Sequence, residues 1–255
     1  MSDRIQLRNC TEVEDLRAFV ALQKEVWGFA DTELVPLRIF SLAPKIGGQV
    51  IGAWDGGTLV GFAFAIPGTR NGHVYLHSHM LAVKTEYRNT GLGRSLKLFQ
   101  REDAIAHGYE LIEWTFDPLE IKNAYLNLER LGAIALRYNI NQYGITSSPL
   151  QGFLPTDRLV AEWWLKSKRV EALLSSGEMP PCREDMRIRI PAEIYEWKAQ
   201  PATRQRAADL QLRNREQFLK AFSQGLACLR YSRDDDGSGV FILGRWDEGW
   251  SYGSN

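Results

Sequence analysis

The sequence predicts an α/β protein with a mixed, mostly antiparallel central sheet flanked by helices and a smaller α+β extension at the C-terminal end. Three observations carry this. Strand-like runs at 49–54, 58–66 and 73–83 follow one another across Asp55-Gly56-Gly57 and Pro67-Gly68-Thr69-Arg70-Asn71-Gly72. Both separators are rich in residues that tolerate tight or left-handed turns, which makes an antiparallel meander. Helical periodicity precedes the meander, and behind it strand and helix patterns alternate, the mark of a layered α/β fold.

Taken in order, residues 5–8 alternate apolar and polar as a short strand does. Thr11-Glu12-Val13-Glu14 matches a capping box, in which the Thr11 hydroxyl and the Glu14 carboxylate would satisfy free amides of a helix start. Leu16, Phe19, Val20 and Trp27 continue at helical spacing, and Pro36 opens a second short helix ending near Gly47-Gly48. After the meander, residues 89–93 break the pattern and a helix runs over 94–107, with Leu92, Leu96 and Phe99 on one face and Gly108 as terminator. A buried strand over 111–116 stops at Asp117-Pro118. The next helix, 121–131, puts Ala124, Leu128 and Leu131 on one stripe and ends at Gly132. Strands at 135–143 and 159–165 complete the order β-α-α-β-β-β-α-β-α-β-β.

Beyond Leu165 the character changes. Lys166, Lys168 and Arg169 form a basic cluster, and Ser175-Ser176-Gly177 with Pro180-Pro181 reads as a linker. A strand over 186–190, a helix over 203–222 and a hairpin of 226–231 with 240–246 follow. The expected organisation is therefore a domain over 1–165 and an extension over 166–255. The extension is expected to be structural or dimerising, and in the second case the assembly would be a homodimer.

Composition excludes several classes. The chain has 255 residues, 44% hydrophobic and 24% charged, so it can bury a core without staples and is not generally disordered. Its 31 basic and 31 acidic side chains cancel. Without a long-range positive field, neither a nucleic acid nor an anionic membrane is expected as a partner. Cys10, Cys182 and Cys228 are an odd count with no paired spacing, which fits a reducing compartment and offers no metal site. The opening MSDRIQLRNC has no apolar core for a signal peptide, and no run approaches the roughly 18 apolar residues of a membrane span. A cytoplasmic location is expected.

The chemistry concentrates in residues 77–132. A strand, HSHMLAV, turns through Lys84-Thr85-Glu86-Tyr87 into Arg88-Asn89-Thr90-Gly91-Leu92-Gly93, directly ahead of a helix. Unpaired first-turn amides and the positive end of the helix dipole make an anion site there, and glycines at 91 and 93 let a ligand approach the backbone. A Walker A loop would need G-x-x-x-x-G-K-[ST], which does not occur. A Rossmann fingerprint would need a third Gly or Ala where Leu96 stands. An arginine followed by G-x-G, after a strand reached through a meander, suggests instead the pyrophosphate of coenzyme A.

On these residues the segment 77–132 resembles the core of the GNAT superfamily of acyl-CoA-dependent N-acetyltransferases. Arg88-x-x-Gly91-x-Gly93 matches its [RQ]-x-x-G-x-[GA] signature, and the element order from Ile5 to about Leu165 is similar to the GNAT fold. The resemblance implies acetyl-CoA as acyl donor, no metal, and direct attack by an amine in a ternary complex, with no catalytic cysteine. It implies that Leu81, Ala82 and Val83 meet the pantetheine arm along the strand. Arg88, Asn89, Thr90, Gly91, Leu92 and Gly93, with Arg94 at the helix start, would hold the pyrophosphate. The strand over 111–116 would splay from the one ending at Val83 and open a slot for the thioester.

His77 and His79 stand two apart on one strand, so both point to the same face, and an imidazole pair beside a thioester could relay a proton from an incoming ammonium. HSHMLAV also resembles the H-x-H-A-L-A-V run of the arylalkylamine N-acetyltransferases, where the matching histidines serve that purpose. One departure stands out: the family tyrosine expected four residues before Gly132 is Leu128 here. Tyr125 or Tyr138 would then substitute as proton donor to the departing thiolate. The common N-x-x-A pattern is displaced too, leaving Asn123 or Asn127 as a cofactor contact. Glu113 is a rival base, expected to face solvent. Trp27, Phe29, Phe40 and Tyr75 either line an acceptor pocket or pack in the core. The expected function is acetyl transfer from acetyl-CoA to a primary amine; the alternative is a non-catalytic acyl-CoA-binding scaffold.

Overall fold

The computed structural model describes residues 4–144 and 154–249. The chain divides into two compact units, the division falling within one strand between Glu113 and Trp114. The boundary expected at 165/166 lies inside the second unit.

In the first unit the elements are β1 (Ile5–Asn9), α1 (Val13–Trp27), α2 (Leu37–Leu42), β2 (Gln49–Asp55), β3 (Thr58–Arg70), β4 (His73–Val83), α3 (Leu92–Ala106) and the start of β5 (Leu111–Phe116). β1 to β4 pair antiparallel in chain order, and β4 pairs with β5 in parallel. The meander expected from the sequence is present, with one correction. β3 does not stop at Ile66 but runs through Pro67-Gly68 to Arg70, so the turn is Asn71-Gly72 alone. Both turn residues have positive φ, 50° and 78°, as a two-residue turn matched to the strand twist requires. Gly68 is tolerated inside the strand because the Tyr75 ring of β4 fills its place: a Cβ there would lie 2.8 Å from that ring.

The capping box is a second correction. α1 has Glu12 as its N-cap with no side-chain cap bond, and the Thr11 hydroxyl faces the Glu12 carboxylate at 3.3 Å. Burial of Leu16, Phe19 and Leu22 against the sheet stabilises this helix instead. Each such side chain removed from water contributes roughly 1.5–3 kcal/mol, more than a cap does.

Two apolar layers cover the two faces of this sheet. On the α1/α2 side Phe19, Phe40, Phe62 and Phe64 are all at most 1% exposed and join Met80 and Ala82. On the α3 side Ile51, Val60 and Ala63 pack with Leu92 and Leu96, with Leu81 and Val83 against them.

The second unit comprises the end of β5, α4 (Ile121–Tyr125) with a π-helical turn Leu126–Arg130, β6 (Ile134–Asn139), β7 (Arg158–Trp164), α5 (Lys168–Ser176), β8 (Met186–Ile190), α6 (Ile194–Ala199), α7 (Arg204–Ser223), β9 (Leu226–Arg233) and β10 (Gly239–Arg245). Its strands run β7-β6-β9-β10-β8, with β9 reaching β6 at Cys228↔Ala135. α5, capped by the Ser167 hydroxyl accepting from the Val170 amide, takes in Ser175 and Ser176 of the stretch read as a linker and ends at Gly177. Of the basic cluster, Lys166 and Lys168 are exposed and Arg169 is not. Arg169 is buried and donates to the carbonyls of Gly132 (2.9 Å), Leu128 and Leu229, closing the carbonyl end of the π-turn. Burial lowers its pKa to about 10.

Candidate active site

β4 is the backbone of the site, and its ladder with β3 contains one irregularity. Ser78 pairs with Ala65 and Met80 with Phe64, so His79 is an extra residue with no partner: a β-bulge. The bulge shifts the side-chain alternation by one. Before it, Ser78 points to α3, where its hydroxyl meets Lys97 and Gln100. After it, Met80 points to the aromatic layer while Leu81 and Val83 point to α3. His79 itself stands against Phe64, ring centroids 6.1 Å apart at 83°, and against His77 at 6.0 Å. The structure thus brings the two histidines together on the α1/α2 face. The His79 ring is solvent-accessible yet crowded by protein, and lost hydration holds its pKa below the usual imidazole value. A neutral ring can accept a proton.

The parallel ladder of β4 with β5 consists of Leu76↔Ile112 and His77↔Glu113, while β4 runs on to Val83. Glu113 corrects the sequence reading: it is 2% exposed, not solvent-facing. The Arg70 guanidinium grips its carboxylate through both terminal nitrogens, one at 2.8 Å, and stacks over Tyr75 at 4.9 Å. A carboxylate neutralised this way is a structural ion pair rather than a base.

Beyond β4, the loop folds as the sequence spacing requires. Arg88 Nε donates to the Val83 carbonyl at 3.2 Å, and the Thr90 hydroxyl donates to the Tyr87 carbonyl at 2.7 Å. Asn89 (φ 62°) and Gly91 (φ 91°) take left-handed backbone, the second as N-cap of α3. The helix begins at Leu92, whose buried side chain anchors it to the sheet, two residues earlier than expected. Its first backbone bond is Ser95 N to Gly91 O at 3.0 Å, so the amides of Leu92 and Gly93 precede any intrahelical acceptor. A Cβ on Gly91 would meet nothing within 4 Å, and one on Gly93 only Val83 and Leu81 at 3.8 and 4.0 Å. Open space over two amides, a helix dipole and Arg88 beside them fits a diphosphate. Arg94 is half-buried in the same first turn.

Asn123, Tyr125 and Tyr138 lie in the second unit. Asn123 is exposed and Tyr125 is 37% exposed on α4. The Tyr138 hydroxyl donates to buried Asp157 at 2.8 Å, which also receives Arg215, and burial followed by that bond raises the phenol's pKa. Of the aromatics, Phe40 is core and Trp27 stacks on Phe29 at 5.5 Å at its edge. Among the described residues, no group of three or more His, Cys, Asp or Glu is placed to hold a metal ion, and no helix is long and apolar enough to cross a membrane.

Sequence reading missed Lys97. It is 2% exposed, with Nζ 3.1 Å from Ser78 Oγ and 2.6 Å from Gln100 Oε1. Desolvation holds its pKa well below the ordinary value. Between that lowered value and the unfolded value of about 10.4, the unfolded chain binds the extra proton, so this group makes stability rise with pH. The denaturant midpoint of wild type relative to Lys97→Met is therefore expected to increase from pH 7 to pH 9.5. A flat difference would contradict it.

A mixed, mostly antiparallel sheet flanked by helices, with a glycine loop capping the helix after β4, defines the GNAT acyltransferase fold. Residues 14–127 match the model of the Acetyltransferase (GNAT) family. The fold is shared at low identity with yncA of Salmonella typhimurium, assigned as an acetyltransferase and solved with its cofactor acetyl-CoA (15% identity, TM-score 0.53, 67% of this chain and 99% of that one). It is shared also with the ribosomal-protein-S18-alanine N-acetyltransferase of Escherichia coli (15%, 0.51, 64% and 95%). An N-acetyltransferase of Staphylococcus aureus Mu50 is similar to the same extent (16%, 0.50, 64% and 99%). None of the curated proteins matches the chain in sequence.

Proposed function

We propose that the protein transfers an acetyl group from acetyl-CoA to a primary amine, by direct attack of the amine while both are bound. The observation that carries this is the arrangement on one strand: histidines at the β4 bulge, and an anion-binding loop where the strand ends. In this reading the amides of Leu92 and Gly93, with Arg88, hold the diphosphate, and the β4 backbone from Leu81 to Val83 lies along the pantetheine arm. Acetyl-CoA supplies an acyl group activated as a thioester. The chain's own part is to orient the amine and to take its proton.

That proton goes to His79 Nδ1 or Nε2, with the His77 ring 6.0 Å away as a second imidazole beside it. Phe64 and the aromatic layer behind it hold the His79 ring in place and keep it neutral. No tyrosine is given a role here: the Tyr138 hydroxyl is spent on Asp157. A thiolate leaves without a dedicated acid, because its conjugate acid has a pKa of about 8.5. Because crowding by the surrounding protein strips hydration and lowers the His79 pKa, the acid limb of kcat/KM is expected to have its midpoint below about 6.5. A midpoint above that value would contradict the assignment. The function is tested by thiol release from acetyl-CoA across a panel of small amines, amino acids and peptide N-termini. Acetyl-CoA binding without amine-dependent release from any of them would refute it.

A further inference from the structure

The bulge at His79 raises a mechanical question. A bulged residue has no place in the ladder, so the ladder does not fix where its side chain points, and a slip of one residue would carry the imidazole to the opposite face. Something else must hold the strand on either side. On the C-terminal side Met80 is packed into the aromatic layer with Phe19, Phe40 and Phe64. On the N-terminal side stands Ser78, 5% exposed, whose hydroxyl lies 3.0 Å from Gln100 Oε1 and 3.1 Å from Lys97 Nζ. Lys97 and Gln100 are themselves 2.6 Å apart, so the three close a triangle. Gln100 is tied onward, its carbonyl accepting from Gln49 of β2 at 3.0 Å.

Lysine is almost never fully buried, and an apolar side chain would pack under the sheet at lower cost. Lys97 also stands one turn after Gly93 on α3, so the diphosphate loop and this triangle belong to the same rigid helix.

We propose that Lys97 is a positioning residue for His79. Its contacts with Ser78 and Gln100 clamp the residue before the bulge to the coenzyme-loop helix, and this clamp sets the direction of the imidazole. The inference rests on the reading of His79 as the base. It makes the bulge a joint fixed from both faces, by apolar packing on one and by the polar triangle on the other.

Two variants test it, Lys97→Met and Ser78→Ala, the second removing one hydroxyl in case the first fails to fold. Each is measured for kcat, for acetyl-CoA affinity by calorimetry, and again in a His79→Ala background. Misplacing a reacting group by an ångström costs up to about 100-fold. The expected result is a fall in kcat of about 10- to 100-fold with coenzyme affinity unchanged, and no further fall when His79 is already alanine. Folded variants that keep wild-type kcat, or that lose activity equally in the His79→Ala background, would overturn the clamp. His79→Ala with unchanged turnover would overturn the base reading and the clamp with it. Slow His79→Ala beside fast Lys97→Met and Ser78→Ala would overturn the clamp alone.

Discussion

His79→Ala is expected to lower kcat for amine acetylation by about 10²- to 10⁴-fold, the usual contribution of a positioned general base. The side chain has no structural partner whose loss would unfold the protein: it is exposed, its neighbours are the faces of Phe64 and His77, and the bulge leaves it outside the strand ladder. Acetyl-CoA affinity should therefore be preserved, because the diphosphate loop begins nine positions further on, at Arg88, and is held by its own bonds. Raising the pH should restore part of the rate, since an amine substrate that is already deprotonated needs no base. A variant with full activity at pH 7 would remove His79 from the reaction.

Glu113→Ala is expected to destabilise the first unit by about 3–5 kcal/mol, the range for removing one partner of a buried ion pair. Glu113 is almost wholly buried, and the Arg70 side chain that grips it is 19% exposed, so the guanidinium left behind regains little water. The loss is the cost of a charge deprived of its carboxylate rather than the worth of the pair. Replacing both, as Arg70→Met with Glu113→Leu, should recover most of the stability. Urea unfolding of the single and double variants gives the comparison. A single variant within 1 kcal/mol of wild type would show the pair to be idle.

Much of the fold was legible because its signals are local. Turn residues between 54 and 73 gave the meander, and the bounds of β4, His73–Val83, are those the sequence predicts. The Arg88-to-Gly93 loop was equally legible, since left-handed backbone at Gly91 and close approach at Gly93 can be read from residue type. What failed depends on partners far along the chain. Glu113 looks exposed until Arg70, 43 residues earlier, is brought beside it. Lys97 looks like a solvated helical lysine until Ser78, 19 residues earlier, is laid under it. The bulge that turns His79 is a matter of register between β3 and β4, and strict alternation along one strand cannot show it. The capping box at Thr11 failed for another reason: the helix is there, but its stability comes from the buried face of Leu16 and Phe19, not from its cap.

The most direct measurement is calorimetric titration of wild type and Gly91→Glu with acetyl-CoA and with S-acetylpantetheine, which lacks the diphosphate. At φ 91° a side chain strains the backbone, and a carboxylate at this N-cap stands where the amides of Leu92 and Gly93 would meet phosphate oxygens. Wild type should bind acetyl-CoA far more tightly than the shorter thioester, and the substitution should erase that difference while leaving the weak binding of the shorter one intact. Equal preference for acetyl-CoA in a folded Gly91→Glu protein would mean that this loop does not hold the coenzyme.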